Sequence, residues 1–154
     1  MKPREIFLIL ALCFIGVTVC SAADAAMGTW KLNEAKSKLA PGGTKNTVVV
    51  YEAEGDNVKV TLEGVDSAGN PTHSEWTGKF DGKDYPVTGD SNSDMRSYKQ
   101  INDRTLVITA KKGSKITLHG RIVVSADGKS RTVTVNGTDS MGKKFESIAV
   151  YDKE

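Results

Sequence analysis

Only two histidines occur in the chain, and one of them stands near an acid at a spacing that metal sites use. His73 and Glu75 in "HSE" are two residues apart, so they share one face of a strand. Such a pair holds a metal ion when a third ligand joins it. Trp76 and Phe80 mark the opposite face as the packed one. We therefore expect His73 and Glu75 to face solvent and predict no metal site. His119, on the polar side of its own strand, is also expected at the surface.

The segment "DSNSD", at 90–94, opens like a calcium-binding loop. The sixth position, which requires Gly, is Met95, and the twelfth, which requires Glu, is Ile101. We therefore interpret the segment as a solvated loop. No Gly-x-Ser-x-Gly nucleophile elbow occurs, and no pair of acids is marked out as catalytic. The sequence predicts no catalytic residue and no cofactor, which favours a non-enzymatic function.

Aromatic side chains are the next candidates for a site. They can line a cavity for an apolar or flat ligand, or they can simply fill the core. The sequence leaves both readings open. The candidates are Trp30, Trp76, Phe80 and Tyr98.

The N-terminal residues have the three parts of a secretory signal peptide. Lys2 and Arg4 give a positive start, 6–19 is an uncharged apolar run, and "SAADAA" supplies small residues. The apolar run is shorter than the roughly 20 residues that span a bilayer. We predict a signal peptide over 1–25, cut after Ala25 or two or three residues earlier. A lipoprotein anchored through Cys20 is the alternative, although Val19 departs from the small residue that such signals carry.

Removal of 1–25 leaves one domain, 26–154, without cysteine, because Cys13 and Cys20 both lie in the signal. This domain must fold on its hydrophobic core alone, and its 129 residues are long enough for that. It carries 19 Lys and Arg against 17 Asp and Glu, scattered along the chain. This balance predicts no nucleic-acid partner, and the short apolar run predicts no transmembrane segment. We expect an exported protein, periplasmic or secreted.

Short strands with period-two alternation fill the rest of the sequence. In "NVKVTLEGV", Val58, Val60 and Leu62 alternate with polar residues, and "KITLHGRIVV" follows the same pattern. Asp81-Gly82 and Asp127-Gly128 suit tight hairpin turns. A short helix is expected only at 34–39. The other predicted strands are 46–53, 72–80, 84–88, 94–101, 104–111, 130–137 and 144–151.

Successive hairpins form a sheet with two exposed edge strands, and no predicted helix covers them. Closing the sheet into a barrel removes both edges. We predict an all-β, antiparallel up-and-down meander closed into a barrel of about 8–10 strands, with a β-sandwich as the alternative. One similarity recurs within the chain, between "VTLEGVDSAGN" at 60–70 and "VTVNGTDSMGK" at 133–143. We interpret it as two hairpins with the same turn rather than as a duplication.

The motif "GTWKL" at 28–32 resembles the first strand of the calycin barrels, which include lipocalins and fatty-acid-binding proteins. In those families the indole plugs the closed end of the barrel, a role that the resemblance implies for Trp30. "AVYDKE" at the C-terminus is similar to the closing strand of fatty-acid-binding proteins. Ala149 stands where those proteins carry a carboxylate-binding arginine. Arg96 is the candidate substitute, if it points inward, whereas Met95 and Ile101 favour the opposite face.

The chain from 26 onward also resembles small exported bacterial proteins described as lipocalin-like and of unknown function. "DGKDYPVTG", "SYKQI" and "TVNGTDSMGKK" carry this resemblance. This resemblance brings no settled function. We predict an exported non-enzymatic binding protein with a small hydrophobic ligand in the barrel. The alternative is a solid barrel that binds a protein partner, as an inhibitor does, through its loops or outer face. A carboxylate enzyme is a third reading.

Overall fold

A computed structural model describes residues 22–139 and 141–154, so most of the predicted signal segment lies outside the described residues. A short helix, α1, precedes ten strands that form one closed antiparallel barrel, each strand paired with its neighbours in the chain. The elements are α1 Ala22–Ala26, β1 Gly28–Leu32, β2 Lys45–Glu54, β3 Asn57–Val65, β4 Pro71–Gly78, β5 Tyr85–Thr88, β6 Met95–Asn102, β7 Thr105–Lys112, β8 Lys115–Val124, β9 Ser130–Thr138 and β10 Lys144–Lys153.

Pairing of the first strand with the last closes the barrel. Trp30 on β1 pairs with Val49 on one side and with Lys153 on the other. Every strand therefore has two partner strands, the arrangement that removes sheet edges. The short strand β5 pairs with β4 and with β6 at two positions each. The predicted meander and its closure are confirmed, with ten strands.

The period-two pattern predicts the buried face of the strands correctly. On β3, Val58 and Val60 are buried, and Leu62 is half-buried, packed against the core. On β8 the same face carries Ile122 and Val124, which are also buried. Ile116, placed on that face by the sequence, is 53% exposed. It lies at a register shift between β7 and β8, where a bulge changes the direction of side chains.

Two local predictions were wrong. The helix expected over 34–39 is a single 3-10 turn at Glu34–Lys36, capped by the Asn33 side chain, which accepts a hydrogen bond from Lys36 N. Asp81-Gly82 does not form a tight hairpin but lies within the connection 79–84 between β4 and β5. Asp81 pairs there with Lys99 of β6, because this connection folds back onto the barrel.

The repeated sequences at 60–70 and 133–143 do form the same turn. Asp66 N donates to Asn70 O, and the Asp66 carboxylate accepts from Ala68 N and Asn70 N. Asp139 makes the equivalent three bonds, to Lys143 O and from Met141 N and Lys143 N. Both turns are Asx turns, which lock the chain through the aspartate side chain.

The two ends of the barrel differ. The α1 end holds α1 and the connections 55–56, 79–84, 103–104 and 125–129. The opposite end, here the Asp90 end, holds 33–44, 66–70, 89–94, 113–114 and 139–143. Ala26 is only 1% exposed, and Ala25 and Phe80 also pack on the core, so α1 and 79–84 cover the first of these ends. No helix of the described residues has both the length and the apolarity needed to cross a membrane.

Candidate functional site

Trp30 lies at the α1 end, completely buried. Its indole Nε1 donates to Ala26 O at 2.7 Å, so the indole is tied to the end of α1. The Lys153 ammonium lies 5.1 Å from the indole centroid, within the range of a cation–π interaction. The indole thus joins the helix, the first strand and the last strand.

A buried cation, Arg131 on β9, also stands beside this indole. Its guanidinium carbon lies 4.9 Å from the ring centroids of Trp30 and Tyr51 and 4.8 Å from that of Tyr151. Burial raises the pKa of Tyr151 to about 12, so this phenol is neutral at physiological pH. Its hydroxyl donates to Asn46 O at 3.0 Å. Three aromatic faces therefore surround one guanidinium.

The other predicted aromatic residues form one continuous cluster inside the barrel. The ring centroid of Trp76 is 4.7 Å from that of Tyr98 and 6.4 Å from that of Phe80. Tyr51 extends the cluster, since it contacts both Tyr98 and Phe80 edge-on. A backbone hydrogen bond from Gln100 N to Phe80 O fixes the connection that carries Phe80. These rings pack against one another in the geometry of a filled core.

Arg96 points inward and is 6% exposed, which resolves the direction that the sequence left open. Its Nη2 donates to Asp90 Oδ2 at 2.9 Å, and its backbone O accepts from Trp76 Nε1 at 2.8 Å. Ile101, whose position argued for the other face, lies at a register shift between β6 and β7 and is 47% exposed. Arg96 Nε and Nη1 are buried and have no hydrogen-bond partner among the described residues.

The segment 90–94 is more ordered than a solvated loop. Ser93 is 2% exposed and donates to Asp90, whose side chain also accepts from Asn92 N and from Arg96. Asp94 accepts from Gly113 N, which ties the segment to the neighbouring hairpin. The interpretation as a solvated loop was therefore wrong at Asp90 and Ser93.

A row of paired residues runs from Arg96 around the Asp90 end. Arg96 pairs with Ala110, Ala110 with Leu118, Leu118 with Gly137, and Gly137 with Phe145. Directly paired residues share one face of the sheet, so this row faces inward with Arg96. Leu118 and Phe145 are half-buried and pack against the core. Ala149, which stands where fatty-acid-binding proteins carry an arginine, has a small side chain and is buried.

The residues on the outer face carry no metal cluster. His73 lies with Nδ1 against Glu63 and with Nε2 3.4 Å from Glu75, which also pairs with Lys59. His73 and His119 are both exposed, as expected. Among the described residues, no group of three metal-ligating side chains is arranged to hold an ion.

Two hollows on the described residues are open surface depressions. One, of about 490 Å³, lies around 31–35 and 152–154; the other, of about 270 Å³, is lined by 102–105 and Val123. None of the five predicted ligand-binding residues lines either hollow.

Four further residues belong to this interior and were not predicted from the sequence: Arg131, Tyr51, Tyr151 and Asp90. Their signal was present in the alternation: Arg131 precedes Val133 and Val135 on the inward face of β9. Tyr51 is two residues from the buried Val49, and Tyr151 is two residues from the buried Ala149, so each tyrosine shares the inward face of its strand. Asp90 had no such signal, because it lies outside the strands.

Comparisons with known proteins identify the fold but no family. The chain is similar to the structure of EF1p2_mFAP2b bound to DFHBI, with a TM-score of 0.50 and 11% identity over 88% of this chain and 98% of that one. It is also similar to a redesigned β-barrel, b11L5F_LGL, with a TM-score of 0.51 and 15% identity over 88% and 97%. No protein-family model matches the chain, and no curated protein matches it.

Proposed function

We propose that this protein is an exported, non-enzymatic barrel that binds a small molecule with an apolar body at the Asp90 end. The observation that carries the proposal is the inward row of Ala110, Leu118, Gly137 and Phe145. Two of its members, Leu118 and Phe145, are apolar and only half-buried. The α1 end is covered by α1 and Phe80, which leaves the Asp90 end as the entrance.

The shared fold gives further support. EF1p2_mFAP2b, a barrel of similar topology, has the small dye DFHBI bound. A closed antiparallel barrel accommodates a small molecule when its inward side chains leave room at one end. Ala110 and Ala149 have small side chains on this inward face. The space beside Gly137 is filled by the ring of Phe145, so a ligand there would have to move that ring. Export is proposed on the N-terminal segment alone, which predicts a periplasmic or secreted location.

A matched pair of substitutions tests the proposed site. Leu118→Trp fills the inward row, whereas His119→Trp adds the same ring to the outer face of the same strand. The uncharged fluorophore phenylnaphthylamine should bind to the wild-type protein and to His119→Trp, and its fluorescence should be lost in Leu118→Trp. Equal binding to both variants would contradict the site, and no binding to the wild type would contradict the function.

A second candidate function is favoured by the packed rings and the outer hollows. On that reading the barrel is solid and binds a protein through its loops or outer face. Native mass spectrometry of the protein purified from its own host distinguishes the two functions. A small molecule released on denaturation supports the first function, whereas a stoichiometric protein partner without any small molecule supports the second.

A further inference from the structure

Two neighbouring turns at the Asp90 end bring together lysines that lie apart in the sequence. Lys112 and Lys115 occupy paired positions on either side of the turn between β7 and β8. Lys143 and Lys144 stand where the turn between β9 and β10 ends. Strand β8 pairs with β9, so the two turns lie side by side. All four lysines are exposed, and we call them the lysine rim.

The lysine rim makes no ion pair within the part of the chain that the structure describes. Lys111, the preceding residue of β7, differs in this respect, because its ammonium pairs with Asp84 at 2.6 Å. Glu146, two residues along β10 from Lys144, is exposed and lies outside ion-pair distance of it. The four ammonium groups are therefore available to an anionic partner.

The carboxylates closest to these turns are bound to backbone groups. Asp94 accepts from Gly113 N, in the middle of the first turn, at 2.9 Å. Asp139 accepts from Met141 N and Lys143 N in the second turn. These bonds hold the short aspartate side chains against the chain, whereas each lysine carries its charge on a flexible four-carbon stem. The groups that reach farthest from the two turns are therefore ammonium groups.

Two large apolar side chains stand among the lysines of these turns. Met141 is 87% exposed and lies two residues before Lys143, and Ile116 is 53% exposed and follows Lys115. Single exposed apolar residues are ordinary in soluble proteins. Here one such residue lies on each of two adjacent turns, and lysines flank both. An apolar tip surrounded by cations matches the boundary between lipid headgroups and acyl chains.

We propose that the lysine rim docks onto the surface of an anionic lipid bilayer. The lysines lie at the lipid phosphates, and Met141 and Ile116 enter the headgroup layer. Each lysine near an anionic membrane strengthens binding by about fivefold, and stable attachment combines such a basic patch with an apolar contact.

A protein partner fits this surface less well. Protein–protein interfaces are enriched in arginine, are depleted of lysine and require a complementary shape. The segments 111–116 and 139–144 contain lysine but no arginine. A fluid bilayer needs no matching shape, so it can receive two separate turns.

The lysine rim also adjoins the entrance of the barrel. Lys144 directly precedes Phe145, and Ile116 lies two residues before Leu118, and both Phe145 and Leu118 belong to the inward row. Docking would therefore turn the entrance toward the lipid, so an apolar molecule could pass between the two without crossing water. This consequence rests on the proposed function, whereas docking itself does not.

Vesicle flotation tests the proposal with residues 22–154. This chain contains the whole barrel and α1 but not the apolar run at 6–19, which could bind lipid by itself. The vesicles are phosphatidylcholine alone or an equal mixture with phosphatidylglycerol. The wild type should float with the mixed vesicles and not with the neutral ones, and added salt should reduce flotation by screening the charges.

A matched pair of double variants separates the lysine rim from net charge. Lys115→Gln with Lys143→Gln should weaken binding to the mixed vesicles by about 25-fold, or fivefold for each lysine. Lys79→Gln with Lys129→Gln removes the same charge from exposed lysines at the α1 end and should bind as the wild type does. Circular dichroism checks that both variants fold.

An added indole reports which end meets the lipid. Met141→Trp should shift its emission to the blue with the mixed vesicles, because its ring leaves water. Ile101→Trp, at a 47% exposed position of the α1 end, should not. The native Trp30 and Trp76 are buried already, so their emission should stay constant.

Three results would overturn docking through the lysine rim. The wild type could fail to float with the mixed vesicles, which would favour an acidic protein as the partner. The two double variants could weaken binding equally, or Ile101→Trp could shift in place of Met141→Trp. If a glutamine variant does not fold, the two indole variants decide, since they keep all the lysines. None of these results affects the ligand site, because phenylnaphthylamine binding is measured without vesicles.

Discussion

Two arginines are buried in the same barrel, but the groups around them differ. Arg131 is enclosed by the rings of Trp30, Tyr51 and Tyr151 and pairs with no carboxylate among the described residues. Arg96 is paired with the carboxylate of Asp90, at the end of the barrel where the connections 89–94 and 113–114 meet. In both, Nε and Nη1 are buried without a partner of hydrogen-bonding geometry among the described residues.

The partners of the two arginines differ in how firmly the fold holds them. Aromatic faces stabilise a cation by about 0.5–2 kcal/mol each and belong to the core, so they are fixed. A carboxylate on a loop can turn to other donors and free the arginine. We infer that the fixed core holds Arg131, whereas the charge of Arg96 depends on one ion pair with a connection.

The largest expected effect is at Trp30, beside Arg131 in the core. Trp30→Ala removes a fully buried indole, its bond to Ala26 O and one ring around Arg131. We expect a loss of about 3–5 kcal/mol in the free energy of unfolding, as for other aromatic core residues. Denaturant unfolding followed by circular dichroism measures it. A loss within about 0.5 kcal/mol, the range of surface substitutions, would contradict a structural role for this region.

Fluorescence gives an independent readout of the same residue. The Trp76→Phe background isolates the emission of Trp30, which should be blue-shifted and poorly quenched by iodide because the indole is buried. Efficient quenching would show that α1 and the connection 79–84 do not cover it in solution.

Asp90→Asn should have the next largest effect, at the ion pair with Arg96. It removes the only carboxylate that pairs with Arg96 in the described chain and keeps the shape of the side chain. We expect the unfolding free energy to fall by about 2 kcal/mol, as for hydrogen bonds to charged groups. Denaturant unfolding followed by circular dichroism measures this loss. An unfolding free energy equal to that of the wild type would show that the ion pair contributes no stability.

Arg131→Met should cost less, about 1 kcal/mol, although it removes a charge from the core. Methionine keeps much of the side-chain length, and replacing a buried charge with an apolar group is often nearly neutral. Arg131→Ala is the comparison, since it leaves a void among three rings and should cost more than the methionine variant. If both variants lose the same free energy, the charge itself, and not the packing, stabilises the α1 end.

The strands and their closure were predictable because burial of one face imposes a two-residue period on every strand. The same period would have placed Arg131 and Tyr51 inside, had their positions been compared with Val133 and Val49. Arg96 illustrates the limit. Ile101 lies on the face opposite Arg96 and is 47% exposed, so the apolar type of this residue, and not the period, suggested the wrong inward face.

The partner of Arg96 was not predictable from spacing. Asp90 is six residues away and lies in a connection whose path depends on how β5 and β6 pair. Connections have no periodic signal, so contacts of their side chains emerge only with the tertiary structure. For the same reason, Asp81-Gly82 suggested a hairpin, although the pair lies in a longer segment that pairs with β6.

The smallest expected effect is at the exposed outer face, where His73 lies between Glu63 and Glu75. The hydrogen bond to Glu63 raises the pKa of His73 above its ordinary value of 6.5, and Glu75 adds to the rise. A raised folded-state pKa gives stability that is fully present below pH 6.5 and is lost as the pH rises through the folded-state pKa. In an NMR titration the His73 ring signal, assigned by its absence in His73→Gln, should have a midpoint above 6.5. Stability at low pH should fall only slightly in that variant, since exposed ion pairs contribute little. A midpoint at or below 6.5 would show that the carboxylates do not hold the ring in solution. If His73→Gln lost as much unfolding free energy as Asp90→Asn, exposed and buried ion pairs would stabilise this barrel equally.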